Sequence, residues 1–166
     1  MIIILICIWV GWMALVWSLQ HYLMFPTSMI SGDRVLQQTP AGVESIWLEN
    51  QDGSRVEAWL IPGEGVTPEH PGPAVVFAHG NAELIDDNLD LQWIAEAGTS
   101  VLLVEYRGYG RGTGSPSQST IVRDTKAFIK HYKDRYSPNK TNDPVVIDLL
   151  NRHIFKRPAL GQSMKR

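Results

Sequence analysis

Three short runs hold the residue types that do chemistry. The first, His79-Gly80-Asn81, follows the apolar run Ala74-Val75-Val76-Phe77-Ala78 and precedes a helical periodicity that begins near Leu84. In an open α/β sheet, sites form at the carboxyl ends of strands, and helix N-termini present unpaired N–H groups to an anion. The backbone N–H groups of Asn81 and Ala82 are therefore candidate donors to an oxyanion, although a glycine in such a turn is more often there for its backbone freedom. The second run, from Glu105 to Ser117, carries Gly108, Gly110, Gly112 and Gly114, but the G-x-G-x-x-G spacing fails in every register and no G-K-[ST] ends it. It reads as a strand-to-helix loop whose glycines allow positive φ and tight packing. The third is Gly161-Gln162-Ser163-Met164-Lys165. A nucleophile elbow is G-x-S-x-G, with small residues where the strained turn brings backbones together, and here Lys165 stands where the last glycine should be. The histidines at 21, 70, 79, 131 and 153 include no pair at H-x-x-x-H spacing, so neither a zinc site nor a cofactor is expected.

Certain elements must position these runs. Residues 45–50 and Arg55–Ile61 are short β-prone stretches joined through Asp52-Gly53, a hairpin signal, and predict two antiparallel strands. Residues 62–73, rich in proline and glycine, predict a surface loop. The run 74–78 is a continuous apolar stretch, which is how a strand covered on both faces reads, and it should be central; residues 100–105, apolar over 101–104, read as a second buried-type strand. Between them, Ile85, Leu89, Trp93 and Ala97 recur every four positions, with acidic residues early and Gly98 beyond the end. That pattern predicts one amphipathic helix over 84–97 and a βαβ unit. Ser115, Pro116 and the residues after them signal a helix start, with Ser115 as the N-cap and Ile121, Thr125, Phe128, Ile129 and Tyr132 on one face. After the polar stretch 137–144 the pattern weakens: residues 145–150 fit a strand or a helical turn, and 152–155 fit a strand interrupted by Pro158. The fold class is α/β.

The chain of 166 residues carries 15 Lys and Arg and 17 Asp and Glu, none of them before Asp33. A net charge of -2 offers no basic field for phosphate backbones, so nucleic acid is not an expected partner. The single cysteine, Cys7, excludes a disulfide within the chain. Residues 2–19 hold only Ser18 as a polar side chain, and their Ile, Leu and Val residues favour bilayer insertion by about 3 to 6 kcal/mol. Trp17, Tyr22 and Phe25 stand where an interfacial aromatic belt belongs. A cleaved signal peptide would need a basic start and a small-residue cleavage site, and neither is present. The expectation is a single-pass membrane protein whose helix meets lipid, with no Lys or Arg before the span to set its orientation. Its divisions are an anchor over 1–25, a linker over 26–43 and a domain over 44–166.

Taken together, residues 75–83, 101–110 and Gly114-Ser115-Pro116-Ser117 resemble the α/β-hydrolase superfamily, and more narrowly its membrane-anchored serine-hydrolase branch, which includes acyl-thioester and lysophospholipid hydrolases. The resemblance runs from about residue 44 to 136 and implies a partial α/β-hydrolase fold: an antiparallel hairpin followed by parallel strands with crossover helices, preceded by one transmembrane helix. By that resemblance Asn81 supplies one oxyanion N–H, Ser163 is the nucleophile, and Met164 supplies the second N–H. It also implies a small acyl substrate. The family's acid and histidine follow the nucleophile in chain order, and only three residues follow Ser163 here. The chain therefore looks like the N-terminal half of a serine hydrolase. The other reading is a non-catalytic, membrane-tethered binding module that keeps half the fold.

Overall fold

The computed structural model describes residues 2–30, 34–136 and 146–147. Two helices come first, α1 (Ile2–Met24) and the single turn α2 (Thr27–Ile30). Strands β1 (Glu44–Glu49) and β2 (Arg55–Ile61) pair antiparallel, with Glu44 opposite Leu60 and Glu49 opposite Arg55. Their turn closes because Gly53 takes φ +77° and the Asp52 carboxylate accepts the Ser54 N–H at 3.0 Å and hydroxyl at 2.6 Å. Strands β3 (Ala74–Ala78) and β4 (Ser100–Val104) pair parallel, β2 lies antiparallel to β4, and β5 (Val146–Ile147) runs parallel to β3. The order β1-β2-β4-β3-β5 places β3 inside the sheet, as its unbroken apolar run predicts.

Alternation along the strands divides the core into two layers. On one face Ile46, Val56, Ala58, Leu60, Ala74, Val76, Leu102 and Val104 meet Phe128, Tyr132 and Tyr136 of helix α4 (Gln118–Tyr136). On the other, Trp59, Ile61, Val75, Phe77, Val101 and Leu103 meet the segment between β3 and β4. Helices on both faces of a sheet with a parallel pair at its centre make the fold α/β.

Two expectations are corrected in detail. Residues 84–97 are not one α-helix but a 3₁₀ segment (Ile85–Leu91) leading into α3 (Gln92–Glu96), with Asn88 at the break, at φ −115° and ψ 18°. Local side chains bind the backbone there: the Asp87 carboxylate accepts the Leu84 N–H at 2.9 Å, and the Asn88 amide donates to the Leu84 carbonyl at 2.8 Å, taking an acceptor an α-helical N–H would use. The start of α4 is capped by Ser117 rather than Ser115. Its hydroxyl accepts the Thr120 N–H at 3.2 Å while the Thr120 hydroxyl oxygen accepts the Ser117 N–H at 2.8 Å, a reciprocal box that satisfies two donors.

Candidate functional site

Parallel pairing sets Ala78 opposite Val104, so the next residues, His79 and Glu105, leave the sheet side by side. The two side chains are 0% and 1% exposed, and His79 Nε2 lies 2.5 Å from Glu105 Oε1. His79 Nδ1 lies 2.9 Å from the Gly80 carbonyl, which can only accept, so Nδ1 donates there and Nε2 faces the Glu105 carboxyl. Glu105 also accepts the N–H groups of Tyr106 at 3.1 Å and Ile85 at 3.3 Å. The Tyr106 hydroxyl donates to the His79 carbonyl at 2.7 Å. Burial, and then the nearby Glu105 charge, push that phenol well above its ordinary value, so it stays a donor. One carboxylate thus ties together the end of β3, the start of the 3₁₀ segment and the loop after β4.

Between them runs the turn that contains Asn81. The Gly80 N–H donates to Glu83 Oε2 at 3.0 Å, and the exposed Ala82 takes φ +62°, a left-handed conformation strained for a residue with a Cβ. Asn81 is exposed at the carboxyl end of β3, in the strand-to-helix turn where the sequence puts it. Ser163 and Met164 lie outside the described residues, so their relation to Asn81 rests on the family pattern.

The glycine-rich loop wraps the buried acid rather than cradling a ligand. Gly110 takes φ +52°, and a Cβ there would lie 2.9 Å from Glu105 Oε2; at Gly108, φ +73°, it would lie 2.6 Å from the Gly114 carbonyl. Behind the loop, Arg107 makes a two-pronged contact with Asp124 of α4, Nε at 2.6 Å and Nη2 at 2.8 Å, and reaches Asp52 with Nη1 at 2.6 Å. Arg111 bonds Glu57 at 2.6 Å and Asp86 at 2.9 Å while lying over the Trp59 ring. The sequence pattern alone assigns no role to Glu105, Arg107 or Arg111. For Glu105 the available signal was a titratable residue directly after each apolar run, His79 after 74–78 and Glu105 after 101–104, at positions that parallel pairing makes neighbours. Among the described residues no three His, Cys, Asp or Glu side chains are grouped to hold a metal ion.

No protein-family model matches the chain. The uncharacterized protein YfhR of Salmonella typhi is 33% identical over 108 residues, 64% of this chain and 37% of that protein. The alpha/beta hydrolase domain-containing protein WAV2 of Arabidopsis thaliana is 33% identical over 132 residues, 76% of this chain and 42% of that protein. The uncharacterized protein Rv2307c of Mycobacterium tuberculosis is 30% identical over 157 residues, 94% of this chain and 53% of that protein, so this likeness runs past the last described residue. Among solved structures, the Pyrococcus furiosus esterase Pf2001 is similar with a TM-score of 0.49 at 20% identity, over 61% of this chain and 42% of that one. With its hairpin, parallel strands and buried strand-end turn, the chain belongs to the α/β-hydrolase superfamily. It spans between 37% and 53% of the length of these three curated relatives.

Proposed function

We propose that residues 44–166 carry the oxyanion turn and the nucleophile of a membrane-anchored serine hydrolase, which cleaves esters, thioesters or amides through an acyl-enzyme. The observation that carries this reading is the buried His79–Glu105 pair, which fixes the backbone on either side of Asn81 before any substrate arrives. In acyl transfer, charge develops on the carbonyl oxygen as the serine adds, and preorganised N–H donors stabilise it; losing one such donor slows the reaction by about 10²- to 10³-fold. In this reading Ser163 Oγ attacks the acyl carbon, and the oxyanion is held by the N–H groups of Asn81 and Met164. The leaving alcohol, thiol or amine departs protonated, and water releases the acid. In this reading His79 supports the turn rather than serving as general base, because its ring is fully buried with Nε2 against Glu105. That base and its acid partner belong after the nucleophile in chain order.

The helix α1 is long and apolar enough to cross a membrane: residues Ile2–Gln20 have a mean hydropathy of 2.5, with none of the span buried against the protein. In this reading it is a single-pass anchor.

Hydrolysis of short-chain p-nitrophenyl esters tests the function. Residues 1–166 alone should turn over slowly, since loss of triad members costs about 10⁴- to 10⁶-fold. A chimera in which the chain is continued by the sequence that follows the matched part of Rv2307c should hydrolyse the esters and lose that activity in Ser163→Ala. Turnover by the chimera that survives Ser163→Ala would overturn the assignment.

A further inference from the structure

The segment after α1 does not hang free. Ile30 is 1% exposed and packs with Leu84 and Tyr109, with Phe25, Val35 and Tyr106 around them. Arg34 donates to the Ala82 carbonyl at 3.0 Å and pairs with Asp87, and the Leu36 N–H donates to Asp86 Oδ1 at 2.8 Å. Arg111 closes the group from the loop after β4, donating to the Leu36 carbonyl at 3.0 Å and to Asp86 at 2.9 Å. Every one of these contacts falls on the loops at the carboxyl ends of β3 and β4 or on the first turn of the 3₁₀ segment that follows β3. The Asn81 amide also donates to the Leu23 carbonyl at 3.5 Å, and that carbonyl is in the last turn of α1, where helix carbonyls lack intrahelical partners. Only Phe25 and Pro26 separate α1 from α2.

From this we infer that residues 25–30 and 34–36 act as a strap, and that they hold the carboxyl ends of β3 and β4, with the Asn81 turn, against the bilayer interface. The inference rests on the proposed reading for the anchor alone and not for the chemistry. If α1 spans, its last turn lies at the interface, and the Asn81 side chain within hydrogen-bond reach of that turn lies there too. The loop over 62–73 leaves β2 beside the start of β4, because Ile61 pairs with Val101, and so sits at the opposite end of the sheet. Five residues of strand separate the two ends by about 16 Å. An acyl chain lying in the bilayer would reach Asn81 directly, whereas a soluble ester would have to enter between protein and lipid.

Depth can be read without any catalysis. In a Cys7→Ala background, single cysteines at Asn81, Ser115 or Glu69, all exposed positions, would carry a fluorescent probe. The labelled full chain would be reconstituted into phosphatidylcholine vesicles with brominated acyl chains. Bromine should quench the probes at 81 and 115 and spare the one at 69. A short Gly/Ser insertion between Met24 and Phe25 leaves the strap and the domain intact, and should abolish quenching at 81 and 115 while the protein still floats with the vesicles. Equal quenching at all three positions, quenching that survives the insertion, or a chain that does not float with the vesicles would overturn the inference. A hydrolase assay that fails beside a positive depth result would count against the chemistry only.

Discussion

Glu105 accepts from His79, Ile85 and Tyr106 in a space closed by Gly110, so its removal leaves three donors facing one another without an acceptor. Removing one partner of a buried pair costs about 3 to 5 kcal/mol. Glu105→Ala should therefore lower stability by about 3 kcal/mol or more, His79→Ala by a similar amount, and the double variant by clearly less than the sum. Urea denaturation of the detergent-solubilised chain measures this, and additive effects would show that the two residues do not act as a pair. Asp52 behaves differently because it is exposed. The Ser54 hydroxyl and N–H, and then Arg107, hold its carboxyl down from 3.8 to about 2. A carboxyl depressed in the folded state stabilises fully above its unfolded value, so this contribution is present above about pH 4 and is lost as pH falls through about 2. Ser54→Ala removes the largest cause and should flatten the fall of stability between pH 4 and pH 2, read as urea midpoints across that window. An unchanged slope would contradict the assignment.

At the scale of elements, the Ser117–Thr120 box predicts that Ser117→Ala costs about 1 kcal/mol whereas Ser115→Ala is close to neutral, as judged by thermal melts. The opposite ranking would restore Ser115 as the cap. Gly108→Ala should be worse than either, because the new Cβ would meet the Gly114 carbonyl in a left-handed backbone. The strands were legible because burial on both faces removes polar residues from a run, and residues 74–78 and 101–104 carry that mark undiluted. The helix over 84–97 was legible in its buried residues but not in its form. Its periodicity is set by what packs on the sheet, whereas the 3₁₀ geometry is set by Asp87 and Asn88 binding Leu84, a competition that an apolar stripe does not record. The place of Asn81 in a turn after β3 is legible from the apolar run 74–78 that precedes it. Its supports are not, because His79 and Glu105 lie 26 positions apart and Arg111 and Glu57 lie 54 apart, and only the strand pairing brings them together.

The whole molecule combines an α/β domain with an exposed apolar helix whose exit is pinned to the loops at one end of the sheet. Carbonate extraction should leave the intact chain with the membrane pellet, and its recovery in the soluble fraction would remove the anchor from the account. The proposed chemistry has residues 44–166 contribute the nucleophile and the oxyanion turn of a serine hydrolase. The most direct measurement is mass-spectrometric mapping of a fluorophosphonate adduct on the chimera continued from Rv2307c, because the reagent reacts at a serine that is both activated and placed beside oxyanion donors. The account predicts one adduct per chain on Ser163, formed more slowly in Glu105→Gln as the Asn81 turn loses its support. An adduct on another residue, or none in a folded chimera, would contradict it.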